Sequence, residues 1–246
     1  MMAASYRAKC IVLKKTKLGE ADLILTMLAE DGTQVKGVAK GARKPGNKRF
    51  GARVEPYSIV DLQLYPGRTL ESITEARCIE PNAACREDLD RSAACSLMCE
   101  LVAKVIADGE AGEKMFPMLQ VALATVAEQP ADQSILYALA FQLKASAMLG
   151  VRPAIHECAL CGSPIEQAAC FDLSSGGNLC SECAGGSSGN IDLAIVPWVD
   201  FLLRSTFKQL HNTEGAPIYQ LLNFTDSWIR EHLGLTLKSY TFLRMV

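Results

Sequence analysis

The chain has 246 residues, 49% of them hydrophobic, and a formal net charge of −2, so it is long enough for one large or two modest globular domains. Its mean hydropathy is +0.13, and no run approaches the roughly 20 apolar residues of a membrane helix. The first five residues lead into no apolar stretch typical of a secretory signal. These features argue against a membrane protein and against a secreted protein, and they predict a cytoplasmic one.

The small net charge conceals an uneven distribution along the chain. Residues 1–53 contain twelve lysines and arginines against four acidic residues, whereas residues 54–246 contain thirteen against twenty-three. The sequence therefore predicts a basic N-terminal module joined to an acidic body.

Five short segments near the N-terminus carry the apolar alternation of half-buried strands. They span residues 6–12, 23–28, 33–35, 59–65 and 69–79. A hairpin signal, Asp31-Gly32, stands between the second and the third segment. Because no helix of convincing length interrupts them, they predict a small closed barrel, and an oligonucleotide-binding (OB) fold is the simplest such barrel.

A basic segment, residues 36–53, connects the third and fourth predicted strands and contains no acidic residue. Its four glycines and one proline predict a mobile loop, and concentrated positive charge on such a loop suits a polyanion. A nucleotide-phosphate loop is set aside, because Asn47-Lys48 stands where that motif needs lysine followed by serine or threonine. A solvated charged loop without a partner remains the alternative. The basic residues are Lys36, Lys40, Arg43, Lys44, Lys48, Arg49 and Arg53.

After residue 80 the apolar residues recur with the spacing of amphipathic helices. Two such helices are predicted around residues 94–105 and 136–147, with a shorter one over residues 115–127. Towards the C-terminus, one more helix is predicted behind Pro197, and another begins near Pro217 and stops at Gly234.

Four cysteines form the strongest local motif of the chain. Cys158, Cys161, Cys180 and Cys183 make two Cys-x₂-Cys pairs separated by eighteen residues. Each pair can direct two thiolates at one ion from a tight turn, and a hairpin between the pairs completes a tetrahedral Cys₄ shell. Four thiolates leave no open position for a water, so the motif predicts one structural Zn²⁺ in a zinc-ribbon-like loop.

Other interpretations of this motif fit the sequence less well. Two disulfides are disfavoured in a cytosolic chain, and a redox Cys-x-x-Cys would leave the second pair unexplained. A deaminase zinc site requires His-x-Glu, whereas His156 and Glu157 are adjacent. Cys170 and His156 are spare candidate ligands, although a buried thiol and a flanking side chain explain them more simply.

The sequence thus predicts an α+β protein of two domains. Residues 1–80 are expected to form the five-stranded OB barrel, and residues 81–246 a helical domain with the zinc-binding insertion at residues 156–185. No Ser/His/Asp arrangement is visible, and His211 and His232 are expected near helix C-termini, where a cation is mildly favoured. No catalytic residue is predicted, and the protein is not expected to be an enzyme.

Three segments together resemble one protein family. They are VAKGAR at residues 38–43, MLGVRP at residues 148–153 leading into CALCG at residues 158–162, and LGLTLKS at residues 233–239. On these segments the chain resembles the bacterial RecO family of DNA repair proteins, the recombination mediators, over nearly its whole length. Some relatives have lost the zinc cysteines, whereas all four are present in this chain.

The resemblance implies a non-enzymatic protein of the cytoplasm and nucleoid. Members of the family bind single-stranded and double-stranded DNA and anneal complementary strands. They work with RecR to load RecA onto DNA covered by single-stranded-DNA-binding protein (SSB), and they bind the acidic C-terminal tail of SSB.

These implied partners assign roles to residues of this chain. The seven basic residues of the basic segment are expected to contact DNA phosphates, and Phe50 or Tyr57 to offer a face for base stacking. Arg204 and Lys238 are the candidates for binding the SSB tail in the helical domain. A function of a different class stays open, namely a zinc-stabilised adaptor whose basic barrel binds RNA or another protein.

Overall fold

The computed structural model describes residues 5–44, 46, 50–109 and 112–243. The chain forms two compact units, Met1–Ala131 and Asp132–Val246. The first unit contains the predicted barrel strands and the helices that follow them, and the second contains the four cysteines. The predicted domain division after residue 80 stays a prediction.

Five strands begin the first unit: β1 (Tyr6–Leu18), β2 (Asp22–Ala29), β3 (Gln34–Ala39), β4 (Ile59–Tyr65) and β5 (Glu71–Glu80). They close into a barrel in the order β1-β2-β3-β5-β4. Neighbouring strands are antiparallel, except for the short parallel pairing of β3 with β5. The predicted five-stranded, OB-like barrel is confirmed.

Alternate residues of each strand point into the barrel and form its core. On β2, Leu23, Leu25 and Met27 belong to this core, whereas Ile24 and Thr26 between them are partly exposed on the outer face. Burial of one such leucine or methionine contributes roughly 1.5–3 kcal/mol. A slip of the strand by one residue would expose the whole set, so the burial pattern fixes the register.

Strand β1 is longer than the sequence pattern predicts. The apolar alternation ends at Val12, but the strand continues to Leu18, which pairs with Asp22 of β2. The register shifts between Val12 and Lys14, so Leu13 is the extra residue of a β-bulge. The part of β1 beyond the bulge contains three lysines and becomes important for the candidate site.

Three α-helices follow the barrel in the described part of the first unit: α1 (Ala84–Glu87), α2 (Leu89–Val105) and α3 (Met115–Glu128). Asp88 caps α2, because its carboxylate accepts a hydrogen bond from the backbone N–H of Arg91 at 3.0 Å. Helix α2 contacts β1 and β2, where Ile11 and Leu28 pair on the outer face and are fully buried. One end of this outer face is therefore covered.

The described part of the second unit consists of helices and one hairpin: α4 (Ser134–Met148), β6 (Cys170–Asp172), β7 (Gly177–Leu179), α5 (Ser181–Ala184), α6 (Val196–Arg204), α7 (Ile218–Leu233) and α8 (Lys238–Leu243). Helix α4 contacts both α6 and α7. It is buried nearly all round and is not amphipathic, because it is the central helix of this unit. The sequence pattern missed α8.

Helix α7 ends as predicted at Gly234, whose φ of +65° places it in the left-handed region typical of a helix C-terminus. Over the described residues, we find no helix with the length and apolar character that crossing a membrane requires.

Candidate functional site

The structure divides the basic segment into a strand, a turn and a short 3₁₀ helix. The sequence pattern predicts a loop over residues 36–53. Residues 36–39 instead belong to β3, and Lys36 lies on that strand. Arg53 lies in the 3₁₀ helix Gly51–Val54, on which it is exposed. Lys48 and Arg49, two of the predicted DNA-binding residues, lie outside the described residues.

Residues 40–44, here called the basic turn, are held in place by hydrogen bonds. The backbone N–H of Gly41 donates to Asp22 Oδ1 at 2.7 Å. The backbone N–H of Arg43 donates to the carbonyl of Ala21 at 2.8 Å, and its Nη1 donates to the carbonyl of Gly19 at 3.1 Å. These bonds attach the basic turn to the turn between β1 and β2, so this part of the predicted mobile loop has a defined position.

The side chains of the basic turn face solvent. Lys40, Arg43 and Lys44 are all exposed. They place three cations at the end of the barrel where β1 meets β2 and where β3 ends.

A row of side chains crosses the outer face of β1, β2 and β3. Lys14 pairs with Thr26, and Thr26 pairs with Lys36, so the three share one face of the sheet. Both lysines are exposed. We call Lys14, Thr26 and Lys36 the lysine row, and the outer face of β1–β3 together with the basic turn the basic face.

Lys14 was not among the residues predicted from the sequence. The β-bulge at Leu13 breaks the apolar alternation, which made the strand seem to end at residue 12. The run Lys14-Lys15-Thr16-Lys17 was the available signal. Lys15 of this run is already paired, since its Nζ lies 2.7 Å from Glu55 Oε2.

The two predicted stacking residues are not on the surface. Phe50 is 1% exposed and belongs to the barrel core. Tyr57 is 8% exposed, its hydroxyl lies 2.9 Å from Ser96 Oγ, and burial raises its pKa to about 12. Neither ring offers a face to a nucleotide in this structure, and we correct the expectation that one of them stacks on a base.

The basic face has the chemistry of a phosphate-binding surface. Exposed lysine and arginine side chains neutralise phosphate charge and release counterions, which favours binding of a nucleic-acid backbone without regard to sequence. In OB folds, the face of the second and third strands binds oligonucleotides together with the loops after the first and fourth strands. Thr26 and Lys36 lie on this face, Lys14 adjoins it on β1, and the basic turn is hydrogen-bonded to the turn after β1.

The second unit brings the four predicted cysteines together. The sulfur atoms of Cys158, Cys161, Cys180 and Cys183 all lie within 4.8 Å of one another. No other group of three or more metal-ligating side chains occurs among the residues that the structure describes. A cluster of this kind could hold a metal ion, and four cysteine sulfurs are the ligand set of structural zinc.

Backbone hydrogen bonds shape both turns of this cluster. In the first, Gly162 N–H donates to the carbonyl of Cys158, and Cys158 N–H donates to the carbonyl of Ser163, each at 2.8 Å. Cys180 begins the second turn, where its Sγ accepts from the backbone N–H of Cys183 at 3.5 Å. The N–H of Cys180 in turn donates to Cys158 Sγ at 3.5 Å, which joins the two turns.

These donors favour thiolates. The backbone N–H of Cys180, together with that of Cys161, lowers the pKa of Cys158 to about 6. Hydrogen bonding with Ser163 lowers the pKa of Cys161. The neighbouring sulfurs, Cys180 first, raise the pKa of Cys183 to about 12. A bound divalent cation favours all four thiolates, because its charge offsets their mutual repulsion.

An aromatic cluster attaches the cysteine hairpin to α7. Phe171 of β6 is fully buried, and its ring centroid lies 5.6 Å from that of Phe224 and 6.3 Å from that of Trp228. Trp228 Nε1 donates to the carbonyl of Val151 at 3.0 Å. His232 Nε2 lies 2.9 Å from the carbonyl oxygen of Leu173 in the same hairpin. The hairpin that carries the cysteine cluster is therefore packed against α7.

The spare ligand candidates, Cys170 and His156, are not part of the group of four sulfurs. Cys170 is buried in a small cluster with Cys158, Leu179 and Ala184, against which Cys180 and Cys183 pack. His156 Nε2 lies 3.1 Å from Asp200 Oδ1. The contact of His156 with Asp200 fits the simpler interpretation of that side chain, whereas the role of Cys170 stays a prediction.

The two candidates for binding an acidic tail lie on different helices. Arg204, on α6, is exposed, and its Nε lies 2.8 Å from Asp200 Oδ1. Lys238 is the first residue of α8 and is also exposed. Their predicted role stays a prediction.

Comparisons with known proteins cover nearly the whole chain. The family model "Recombination protein O N terminal" matches residues 2–82, and "Recombination protein O C terminal" matches residues 86–241. The chain is also similar to a DNA repair protein RecO of Nocardioides sp., with 33% identity over 97% of this chain and 98% of the relative.

A second relative agrees. A DNA repair protein RecO of Gloeobacter violaceus is 35% identical over 74% of this chain and 70% of the relative. Two family models in the expected order, together with relatives that match most of the chain, show that this protein belongs to the RecO family of DNA repair proteins.

Proposed function

We propose that this protein is a DNA-binding recombination mediator without enzymatic activity, acting in the cytoplasm at the nucleoid. It binds single-stranded and double-stranded DNA on the basic face, anneals complementary strands, and helps RecR to load RecA onto SSB-coated DNA. Membership of the RecO family supports this role.

The lysine row carries the DNA-binding part of the proposal. Two exposed lysines flank Thr26 on the outer face of an OB-like barrel, and the basic turn adds three exposed cations at one end of the same strands. Phosphate contacts of this kind suit both single strands and duplexes, because both present a regular array of negative charge. Annealing follows the same chemistry, since neutralised phosphates let two complementary strands approach.

One Zn²⁺ bound by Cys158, Cys161, Cys180 and Cys183 is the second part of the proposal. The four sulfurs are near enough for one ion, and backbone donors already favour two of the thiolates. Such an ion fills all its positions with sulfur and stabilises the hairpin without activating a water. Its role is to hold structure in the second unit.

Arg204 and Lys238 are proposed to contact the acidic SSB tail. Arg204→Ala and Lys238→Ala should each weaken binding of a tail peptide, because each removes a cation that can pair with a peptide carboxylate. Lys208→Ala, which removes an exposed cation just after α6, is the control. Unchanged peptide affinity in both variants, measured by fluorescence anisotropy, would place the docking site elsewhere.

A competition assay tests the proposed function against the RNA-binding or adaptor alternative. Unlabelled single-stranded DNA, duplex DNA and structured RNA of matched length compete with a labelled oligonucleotide. Both DNA forms should compete well, and the protein should accelerate annealing of complementary labelled strands. Stronger competition by RNA, without accelerated annealing, would favour the alternative.

A further inference from the structure

The burial of Phe50 and Tyr57 raises the question of which side chain contacts bases. Residues 1–82 contain four aromatic side chains: Tyr6, Phe50, Tyr57 and Tyr65. The hydroxyl of Tyr6 donates to Glu71 Oε2 at 2.5 Å, so the Tyr6 side chain already has a partner within the barrel. Tyr65 remains, and it is 47% exposed.

Strand pairing places Tyr65 on the outer surface of the barrel, to which the lysine row also belongs. Tyr65 pairs with Ser72 of β5, and Ser72 pairs with Val38 of β3. Val38 pairs with Ile24, which pairs with Thr16 of β1. Paired residues share one face of a sheet, so these five side chains form a continuous row around the outside of the barrel.

This row is the neighbour of the lysine row. Thr16 and Val38 each lie two residues beyond Lys14 and Lys36, which is roughly 7 Å along a strand. Tyr65 lies two strands from Val38, or roughly 10 Å around the barrel. A strand of nucleic acid that leaves the lysine row and runs around the barrel across β3 and β5 therefore reaches the Tyr65 ring.

The position of Tyr65 in the fold also fits this role. It is the last residue of β4, where the chain enters the loop that leads to β5. In OB folds this loop contributes to the binding surface. Among the described residues, no hydrogen bond, ion pair or ring contact engages the Tyr65 side chain, so its ring is available to a ligand.

We propose that Tyr65 is the base-stacking residue of the barrel, where its ring packs against one unpaired base while the basic face holds the phosphates. This inference rests on the proposed DNA-binding function and deepens it. Stacking on an aromatic ring is tolerant of sequence, because every base has a π-face. An unpaired base can stack in this way, whereas a base inside a duplex cannot, so Tyr65 favours single strands.

Two probes of equal length test the proposal with the full-length protein. One is fluorescent oligo(dT), and the other has the same phosphates but abasic sugars. Tyr65→Ala should weaken oligo(dT) binding about 5- to 150-fold, the loss that corresponds to one stacked base, and leave binding of the abasic strand unchanged. Tyr65→Phe should keep the oligo(dT) affinity, because it keeps the ring. Tyr219→Ala, which removes an exposed tyrosine of the second unit, is the matched control.

The possible results separate the two hypotheses. The stacking role would be overturned if Tyr65→Ala bound oligo(dT) as tightly as the wild-type protein does, or if it lost the same affinity for both probes. Either result would leave the proposed DNA-binding function intact, because the wild-type protein would still bind DNA. A wild-type protein that binds neither probe would overturn the proposed function itself, and the stacking role with it. Circular dichroism of each variant checks that the barrel is folded.

Discussion

Replacing Cys161 with serine should abolish stoichiometric zinc binding and open the cysteine hairpin. A serine hydroxyl does not ionise near neutral pH, so the site loses one of its four thiolates and the charge that goes with it. Metal binding is coupled to folding of such a site, so loss of the ion also loosens residues 158–183. The zinc content of the purified protein, measured by elemental analysis, should fall from one ion per chain to nearly none.

Cys78→Ser is the matched control, because Cys78 is a partly exposed cysteine on β5 outside the cluster. It should retain one zinc per chain. Limited proteolysis should cut the hairpin in Cys161→Ser and spare it in the control. If the wild-type protein, purified without chelator and with its thiols reduced, contained no zinc, the metal assignment would be wrong.

Removing the two lysines of the lysine row should weaken DNA binding and reduce its dependence on salt. If about four phosphates are engaged, the log–log salt slope for a single strand is roughly −3, and affinity falls on the order of fiftyfold between about 50 and 200 mM salt. In Lys14→Ala/Lys36→Ala the slope should be roughly −1.4, and binding at about 0.1 M salt on the order of twentyfold weaker.

Lys114→Ala/Lys208→Ala removes the same charge from exposed positions outside the basic face and is the control. It should change the slope little. Titrations of a labelled oligonucleotide at four salt concentrations give both slopes. Equal slopes for the two double variants would mean that net charge, and not the lysine row, governs binding.

Local patterns predicted most of the barrel and the cysteine cluster. Each barrel strand buries one face, so its apolar residues alternate and can be recognised from a short segment. The two Cys-x₂-Cys pairs can also be recognised from a short segment, because the turns and the hairpin that bring the four sulfurs together are local structures. The β-bulge at Leu13 interrupts the apolar alternation of β1, so the pattern ends too early and does not identify Lys14 as a residue of the strand.

Features that depend on distant parts of the chain could not be predicted in this way. Phe50 lies among basic residues, which suggests a surface position, yet it fills the barrel core. Tyr65 is connected to Val38 through Ser72 only because β3 pairs with β5, a crossover that no local pattern encodes. The contact of Phe171 with Phe224 likewise brings together residues more than fifty positions apart.

Lysine acetylation with and without bound DNA tests most directly whether the basic face is the DNA interface. The full-length protein is treated with a limiting acylating reagent, alone and with a saturating oligonucleotide, and modified lysines are quantified by mass spectrometry. DNA should protect Lys14, Lys36, Lys40 and Lys44 several-fold and leave Lys208 and Lys238 unchanged. Equal modification of Lys14 and Lys36 in the two states, with protection confined to the second unit, would contradict the proposed interface.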